Sequence, residues 1–250
     1  PLSWLYSVWS LHYFKKGVYY LIVKYGERHM KIDIDHFTKK LHGRTVLDDV
    51  NIHFDSEGKG LIVGLQGING SGKTMLIRAL CGLIYATQGT LSVDGQILGK
   101  DISFPPSVGA LIENPAFLNE YTGRRNLELL SSIRGRLPQG HIDEALNAVG
   151  LNPNDHRAYR KYSLGMKQRL GIAAAILEKP QLLLLDEPFN ALDQDGVEQV
   201  AHVIQEQRAL GKMVFLACHD ANELYNLSDI VITMKNGAVA SEERIRQAGE

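Results

Sequence analysis

A glycine-rich segment at residues 67–74 constrains this chain more than any other feature, because it fits the pattern G-x-x-x-x-G-K-[ST]. It follows a short apolar run at residues 61–65, which is typical of a strand buried on both faces of a parallel sheet. The apolar face of residues 75–80 then predicts a helix that begins near Gly72. A strand, a glycine turn and a helix N-terminus in this order aim backbone N–H groups at phosphate oxygens.

The pattern predicts a role for each of these positions. The residues expected to surround the phosphates are Gly67, Asn69, Gly70, Ser71 and Gly72. Lys73 would reach the β- and γ-phosphates of ATP, and the Thr74 hydroxyl would bind Mg²⁺. The alternative is a glycine-rich turn that carries a chance Lys-Thr pair.

Two acids follow a second apolar run. Residues 182–185 are four leucines, and Asp186 and Glu187 come directly after them. A strand that ends in two acids places them at the carboxyl edge of the sheet, where ligands of open α/β folds bind. Asp186 would hold Mg²⁺, and Glu187 would orient the attacking water or accept its proton. Taken alone, the pair could instead be a solvated acidic turn.

A further apolar run at residues 213–217 predicts another strand, which ends at Cys218 and His219. His219 would emerge from the same edge as Glu187 and contact the γ-phosphate. A histidine at a strand end can also be a surface or packing residue. Cys218 and Cys81 are predicted to be small buried residues rather than nucleophiles.

These motifs, in this order, resemble those of the ATP-binding subunit of an ABC transporter, over about residues 31–239. Residues 67–74 resemble the Walker A motif of that family, and residues 182–187 resemble its Walker B motif. Residues 190–193, which end in Asp193, resemble the D-loop, and His219 resembles the switch histidine.

Residues 163–168 stand at the position of the signature motif of that family. The resemblance implies that Ser163 and Gly165 of one subunit contact the nucleotide that the P-loop of a second subunit holds. It therefore implies a head-to-tail pair of ATPase subunits, identical or different, with two ATP molecules at their interface. A helix over residues 166–177 would point its N-terminus at the facing phosphate.

The resemblance also implies a fold and a place in the cell. The fold is α/β of the P-loop NTPase (RecA-like) class, with a mostly parallel core sheet, an N-terminal antiparallel β region and an inserted helical subdomain at about residues 115–165. The ATPase domain would span residues 30–239, followed by a short tail at 240–250. The chain would hydrolyse ATP to drive a separate integral membrane permease, and would lie in the cytoplasm, peripheral on the inner face of the cell membrane.

Two departures from the usual motifs point to a subfamily. The signature has Leu164 and Met166 where most members carry Gly and Gln, and Glu113 replaces the usual Gln of the Q-loop. Both changes are similar to those of ATPases from bacitracin- and lantibiotic-type peptide exporters. We therefore expect the motor of a bacterial peptide or drug exporter. Glu113 would lie near Mg²⁺, although it could equally face solvent in the resting state.

Recognition of the adenine base is less clearly encoded. Leu41 stands where many relatives place a tyrosine that stacks on the base. His42 could stack on the base instead, or the base could rest on Leu41. The segment leaves the choice between ATP and GTP open.

Two shorter patterns predict further elements. A stripe of apolar residues at helical spacing over residues 142–149 predicts a helix, with Gly150 as its C-terminal cap. An apolar run at residues 230–234, followed by Asn236 and Gly237, predicts a strand and a hairpin turn.

Composition agrees with one large α/β domain. The chain has 250 residues, of which 44% are hydrophobic, so it can bury a sizeable core. A formal net charge of −1 argues against nucleic acid as a partner. Two widely separated cysteines fit a reducing compartment. Two other functions stay open: a nucleotide-dependent regulatory or binding module with weak hydrolysis, and a P-loop kinase.

Residues 1–29 do not fit the family pattern. Two apolar or aromatic stretches, split by Lys15 and Lys16, are each too short to span a membrane. Because Met30 directly precedes the family-like segment, we expect residues 1–29 to be extraneous to the native protein. The alternative is a short amphipathic segment that docks on a membrane surface or a partner.

Overall fold

The computed structural model describes residues 30–56, 58–134 and 137–245. The expectations for residues 1–29 lie outside this range. The strands are β1 Lys31–Leu41, β2 Arg44–Asp55, β3 Leu61–Gln66, β4 Gln88–Val93, β5 Gln96–Ile97, β6 Val108–Leu111, β7 Leu182–Asp186, β8 Met213–Ala217, β9 Ile230–Lys235 and β10 Ala238–Arg244. The helices are α1 Lys73–Leu80, α2 Gly123–Arg134, α3 His141–Ala148, α4 Leu164–Ile176, α5 Gln194–Ala209 and α6 Ala221–Leu227, with a 3₁₀ turn at Tyr159–Lys161.

The strands form two sheets, as the resemblance implied. An antiparallel sheet has the order β2-β1-β4-β5 and comes from the N-terminal part of the ATPase domain. The core sheet has the order β10-β9-β3-β8-β7-β6. Its strands run parallel except β10, which pairs antiparallel with β9 through the predicted turn at Asn236 and Gly237. The carboxyl ends of β3, β7 and β8 therefore share one edge.

Both faces of the core sheet are buried. In β7, Leu182 and Leu184 pack in one hydrophobic cluster with the antiparallel sheet and α1. Leu183 and Leu185 pack on the opposite side with α4 and α5. Burial of each leucine contributes about 1.5–3 kcal/mol, and burial on both faces explains the uninterrupted leucine run.

The segment between β6 and β7 contains α2, α3, the 3₁₀ turn and α4. The predicted cap of α3 is confirmed, because Gly150 has a φ of 69° and its N–H donates to the Asn147 carbonyl at 2.9 Å. Helix α4 begins at Leu164 rather than at the predicted residue 166. The reason is Ser163, whose Oγ accepts a hydrogen bond from the Met166 N–H at 3.1 Å and so caps the helix two residues earlier.

One boundary differs from the prediction. The expected tail at residues 240–250 begins inside β10, which continues its pairing with β9 as far as Arg244, opposite Ile230. The core sheet thus extends five residues past position 239. Within the described residues, no helix combines the length and apolar character needed to cross a membrane.

Candidate nucleotide-binding site

The glycine turn between β3 and α1 depends on residues without side chains. Gly67 has a φ of 151°, and a Cβ there would lie 2.4 Å from Ser71 Oγ and 2.6 Å from the Met234 carbonyl oxygen. Gly72 has a φ of 113° and directly precedes α1. These positions require glycine, because an L side chain would clash or strain the backbone.

Lys73 is the first residue of α1, and its side chain folds back over the turn. Its Nζ donates to the Gly67 carbonyl at 2.6 Å and is also 3.5 Å from the Ile68 carbonyl. Nearby, Ser71 is 2% exposed and its Oγ has no hydrogen-bond partner among the described residues. A buried cation and an unpaired hydroxyl beside free helix N–H groups form a site for phosphate.

The Asp186 carboxylate lies at the end of β7, where it is 4% exposed. Burial raises its pKa, whereas a hydrogen bond from the Thr74 side chain and the charge of Lys73 lower it. Its Oδ1 has no hydrogen-bond partner among the described residues. A buried carboxylate oxygen without a partner is costly, and a divalent cation would remove that cost, so Thr74 and Asp186 fit Mg²⁺.

No group of three or more His, Cys, Asp or Glu side chains within residues 30–56, 58–134 and 137–245 could hold a metal ion on its own. Magnesium sites beside nucleotides commonly use one or two carboxylates together with phosphate oxygens and water. The arrangement at Thr74 and Asp186 agrees with this pattern.

Glu187 follows Asp186 and turns away from the strand, with a φ of 52°. Its N–H donates to the Ala217 carbonyl at 2.8 Å, and its carbonyl accepts from Gln168 Nε2 at 2.9 Å. Its Oε2 lies 2.7 Å from Nδ1 of His219. The backbone of Glu187 is thus fixed between β8 and α4 while its carboxylate meets the histidine.

A cleft of about 550 Å³ opens at this edge of the sheet. Residues predicted for the site that line it are Asn69, Gly70, Ser71, Gly72, Lys73, Thr74 and Glu187. Its other walls, which the sequence did not predict, are Arg44, Thr45, Val46, Met75, Asn236 and Gly237. The β9–β10 turn reaches the glycine turn directly, because the Gly237 N–H donates to the Ser71 carbonyl at 2.8 Å.

His42, predicted to stack on adenine, does not line this cleft. It lies in the β1–β2 turn, is exposed and has a φ of 47°. The β2 side of the cleft is formed instead by residues 44–46, which directly follow this turn. Their role could have been suspected from their position two residues after His42, but no side-chain pattern marks them.

The signature residues lie outside the cleft of their own chain. Ser163 caps α4, and Leu164 is 71% exposed beside it. A Cβ on Gly165 would lie 2.9 Å from the Ala191 carbonyl, so this position packs closely on the D-loop. Asp193 in turn caps α5 by accepting from the Gly196 N–H at 3.0 Å.

Glu113 has a φ of 60° and forms an ion pair with Arg78 of α1. Its charge contributes to the raised pKa of Asp186, although less than burial does. The structure therefore places Glu113 within electrostatic reach of the proposed metal position while a cation holds its carboxylate.

The two cysteines do not resemble activated nucleophiles. Cys218 is buried, and burial raises the pKa of its thiol to about 11. Cys81 is half-buried, and burial raises its pKa as well. A thiol with a raised pKa is a poor nucleophile at neutral pH.

Comparison with known families agrees with this geometry. The family described as ABC transporter matches residues 47–190, which is more than half of the chain. The chain belongs to the ABC transporter family. It is an ATP-binding subunit of that family, and an ATPase.

Three curated relatives match this ABC ATPase over most of its length. The uncharacterized ABC transporter ATP-binding protein YybJ of Bacillus subtilis is 43% identical, over 86% of this chain and 97% of its own length. The bacitracin transport ATP-binding protein BcrA of Enterococcus faecalis is 35% identical, over 86% of this chain and 70% of its own length. The lantibiotic transport ATP-binding protein SrtF of Streptococcus pyogenes is 32% identical, over 82% of this chain and 87% of its own length. The predicted subfamily is confirmed.

The fold of this ABC ATPase also matches solved structures. A dimeric ATP-binding cassette, MJ0796, bound to ADP and Pi in a post-hydrolysis state, superposes with a TM-score of 0.76. It is 23% identical, and the match covers 86% of this chain and 99% of that one. The P-loop NTPase fold that the motifs predicted is confirmed.

Proposed function

We propose that this chain is the motor subunit of a bacterial ABC exporter, which closes as a dimer around two MgATP and drives a separate permease. The observation that carries this proposal is the position of Glu187. Glu187 lines the same cleft as Lys73, and its Oε2 lies 2.7 Å from Nδ1 of His219. A carboxylate held beside a phosphate site by a histidine suits the activation of water.

Each polar group has a separate task in this mechanism. Lys73 releases the Gly67 carbonyl and binds the β- and γ-phosphates, which removes the charge that opposes attack. Glu187 orients a water molecule toward the γ-phosphate and accepts its proton. His219 contacts the γ-phosphate and keeps the Glu187 carboxylate in place.

Mg²⁺, held by Thr74 and Asp186 with Glu113 nearby, would neutralise developing phosphate charge. The Arg78–Glu113 ion pair supports a resting state in which Glu113 is turned to its own chain. Released from Arg78, Glu113 would be a further residue that could hold Mg²⁺ beside Thr74 and Asp186.

The position of the signature residues supports the proposed dimer. Ser163 and Gly165 do not line their own cleft, yet they lie at the N-terminus of a 13-residue helix. A helix N-terminus favours an anion. We therefore place the γ-phosphate of the facing subunit there, and Asp193 at the same interface.

The proposals for the permease and for the transported substrate are based on similarity to the relatives. Over the aligned residues, proteins named for bacitracin and lantibiotic transport are 35% and 32% identical to this chain. We infer efflux of, or immunity to, a peptide antibiotic or drug. The motor would bind its permease at the cytoplasmic face of the membrane.

The test compares wild type with two variants by phosphate release and by nucleotide binding. Glu187→Gln keeps the shape of the site but cannot accept the proton, so we expect trapped ATP, a stable dimer and loss of turnover. Lys73→Ala should weaken nucleotide binding. Normal turnover in Glu187→Gln would remove Glu187 from the proposed role.

The permease is tested separately. Tagged Glu187→Gln is captured from native membranes with MgATP and without it. Recovery of one integral membrane protein supports the exporter. Recovery of soluble partners alone, together with very slow phosphate release by wild type, would instead favour the regulatory module. The altered motif residues Glu113 and Leu164 are the sequence features that support this alternative.

A further inference from the structure

A second cavity, of about 310 Å³, lies far from the nucleotide cleft. It is formed by α3, the end of α4 and the end of α5, and we name it the Lys212 pocket after the residue that directly precedes β8. Lys212 precedes β8 and His219 follows it, so five strand residues separate the two sites by roughly 17 Å. The Lys212 pocket is therefore distinct from the ATP site.

Lys212 is an unusual residue to find in such a place. It is 5% exposed, and its Nζ donates to Oε1 of Gln207, which is also buried. No carboxylate in the described part of the chain forms an ion pair with it. A buried ammonium whose only partner is a neutral amide is costly, because burial removes water without supplying an opposite charge.

The nearest acid is already paired. Glu144 also lines the pocket, but its carboxylate lies 3.0 Å from Nζ of Lys179, and this contact lowers the pKa of Glu144. The charge of Lys179 also disfavours the charged form of Lys212. One positive charge thus remains without an anion in the pocket.

A second polar group in the pocket, a histidine ring nitrogen, has no partner among the described residues. Nδ1 of His141, at the start of α3, is buried and makes no hydrogen bond in the described residues. His141 lines the same pocket. Buried polar atoms are nearly always satisfied, so a charge without an anion and an unpaired ring nitrogen in one cavity favour a polar ligand there.

The remaining wall is apolar. It is formed by Ala145, Ala148, Ile176, Leu177 and Leu210. Leu210 is 67% exposed, so its apolar side chain lies where the pocket opens to solvent. A ligand for this pocket needs a hydrocarbon part as well as an anionic group.

We propose that the Lys212 pocket binds a small amphiphilic carboxylate, with its carboxylate on the Lys212 ammonium and its hydrocarbon chain along the apolar wall. One ammonium without an anionic partner matches a monoanion, whereas a phosphate dianion would need further donors. The volume is about twice the roughly 150 Å³ of a cavity that holds benzene, which suits a chain of about eight carbons.

Octanoate is the probe, and calorimetric titration of the full chain at pH 7 is the measurement. Wild type should bind octanoate saturably, with one site per chain. Octanol, which has the same chain without the charge, should bind at least tenfold more weakly. Saturating MgATP should leave the octanoate affinity unchanged, whereas competition would place octanoate in the nucleotide cleft and overturn the proposal.

Two variants test the pocket by independent means. Lys212→Met removes the charge at nearly constant volume and should weaken binding at least tenfold. Ala148→Leu fills the cavity, leaves Lys212 in place and should also abolish binding. Lys100→Met, at an exposed position elsewhere, is the matched control. Absence of binding by wild type, or unchanged binding by both pocket variants, would overturn the proposal.

A pH series adds a readout specific to the amine. Burial lowers the pKa of Lys212 to about 8, and the other titratable groups that line the pocket are Lys179, Glu144 and His141. Because the carboxylate needs the protonated amine, its affinity should fall about tenfold between pH 7 and pH 9. A flat profile over this range would contradict the contact with Lys212.

Discussion

Nδ1 of His219 lies 2.7 Å from Oε2 of Glu187, and this contact joins the carboxyl ends of the neighbouring strands β8 and β7. The parallel register sets Asp186 opposite Ala217, so Glu187 and His219, which follow these strand ends, emerge side by side. The proposed general base is thus oriented by a residue that the fold brings to it from 32 positions away.

His219→Ala should lower the rate of ATP hydrolysis by about 10²-fold or more, because the carboxylate of Glu187 loses its orienting partner. Nucleotide affinity should change only slightly, since Lys73 and the glycine turn are untouched. Steady-state phosphate release and nucleotide binding measure the two effects. His202→Ala, on the exposed side of α5, is the control, and equal rates in both variants would argue against a role for His219.

Asp186→Asn should abolish Mg²⁺-dependent hydrolysis and raise the free energy of unfolding of the nucleotide-free protein by about 1 kcal/mol. Burial raises the pKa of Asp186, so wild type loses stability as pH rises from the unfolded pKa through the folded one. The difference in the free energy of unfolding between Asp186→Asn and wild type should be largest at neutral pH and should decrease at acidic pH.

Chemical denaturation at pH 7 and near pH 4 checks this pH dependence. Asp48→Asn at an exposed position is the control. A variant that is less stable than wild type at pH 7 would show that the carboxylate is satisfied in the free protein.

Leu164→Asp should prevent the ATP-dependent dimer, because it places a negative charge at the N-terminus of α4, where the facing phosphate is proposed to bind. The fold should be unaffected, since Leu164 is 71% exposed. The dimer is measured by gel filtration in a Glu187→Gln background. Ile133→Asp, at a residue that is 79% exposed, controls for the loss of an apolar side chain, and a dimer in Leu164→Asp would place the interface elsewhere.

Lys212→Met should change how stability depends on pH. Burial lowers the pKa of Lys212 to about 8 from 10.5, so between these values the unfolded chain binds more protons than the folded chain. Wild type should therefore gain stability as pH rises from 8 to 10.5, and the variant should lack this gain. Chemical denaturation at pH 7.5 and pH 10.5 measures the free energy of unfolding of both proteins. The same change with pH in wild type and in the variant would show that Lys212 is hydrated.

The sequence predicted the elements whose pattern is local. Strand β8 has the predicted bounds, 213–217, and β7 differs from its leucine run only by the addition of Asp186. The start of α4 was missed by two residues because a single hydrogen bond to Ser163 sets it, and residue periodicity does not show such a bond.

The walls of the cleft were harder to predict. Residues 44–46 and the turn at Asn236 and Gly237 are nearly 200 positions apart, and they meet only because the two sheets pack together. The hairpin turn itself was predicted, but its contact with Ser71 depends on tertiary packing. His42 was chosen by analogy with a position in relatives, and the structure places it outside the cleft.

The four leucines of β7 have a consequence for folding errors. In most strands, a shift of the pairing register by one residue (a slip) turns the apolar side chains to the solvent face, and the loss of burial makes that register unstable. In β7 such a slip replaces leucine with leucine at three of the four leucine positions, and the fourth receives Gln181 or Asp186. Hydrogen bonds at the two ends help to set the correct pairing, among them that from the Leu182 N–H to the Ser107 carbonyl and that from the Glu187 N–H to the Ala217 carbonyl. We expect a misregistered chain to be compact and well packed, with both acids displaced by about 3.3 Å, and therefore folded but inactive.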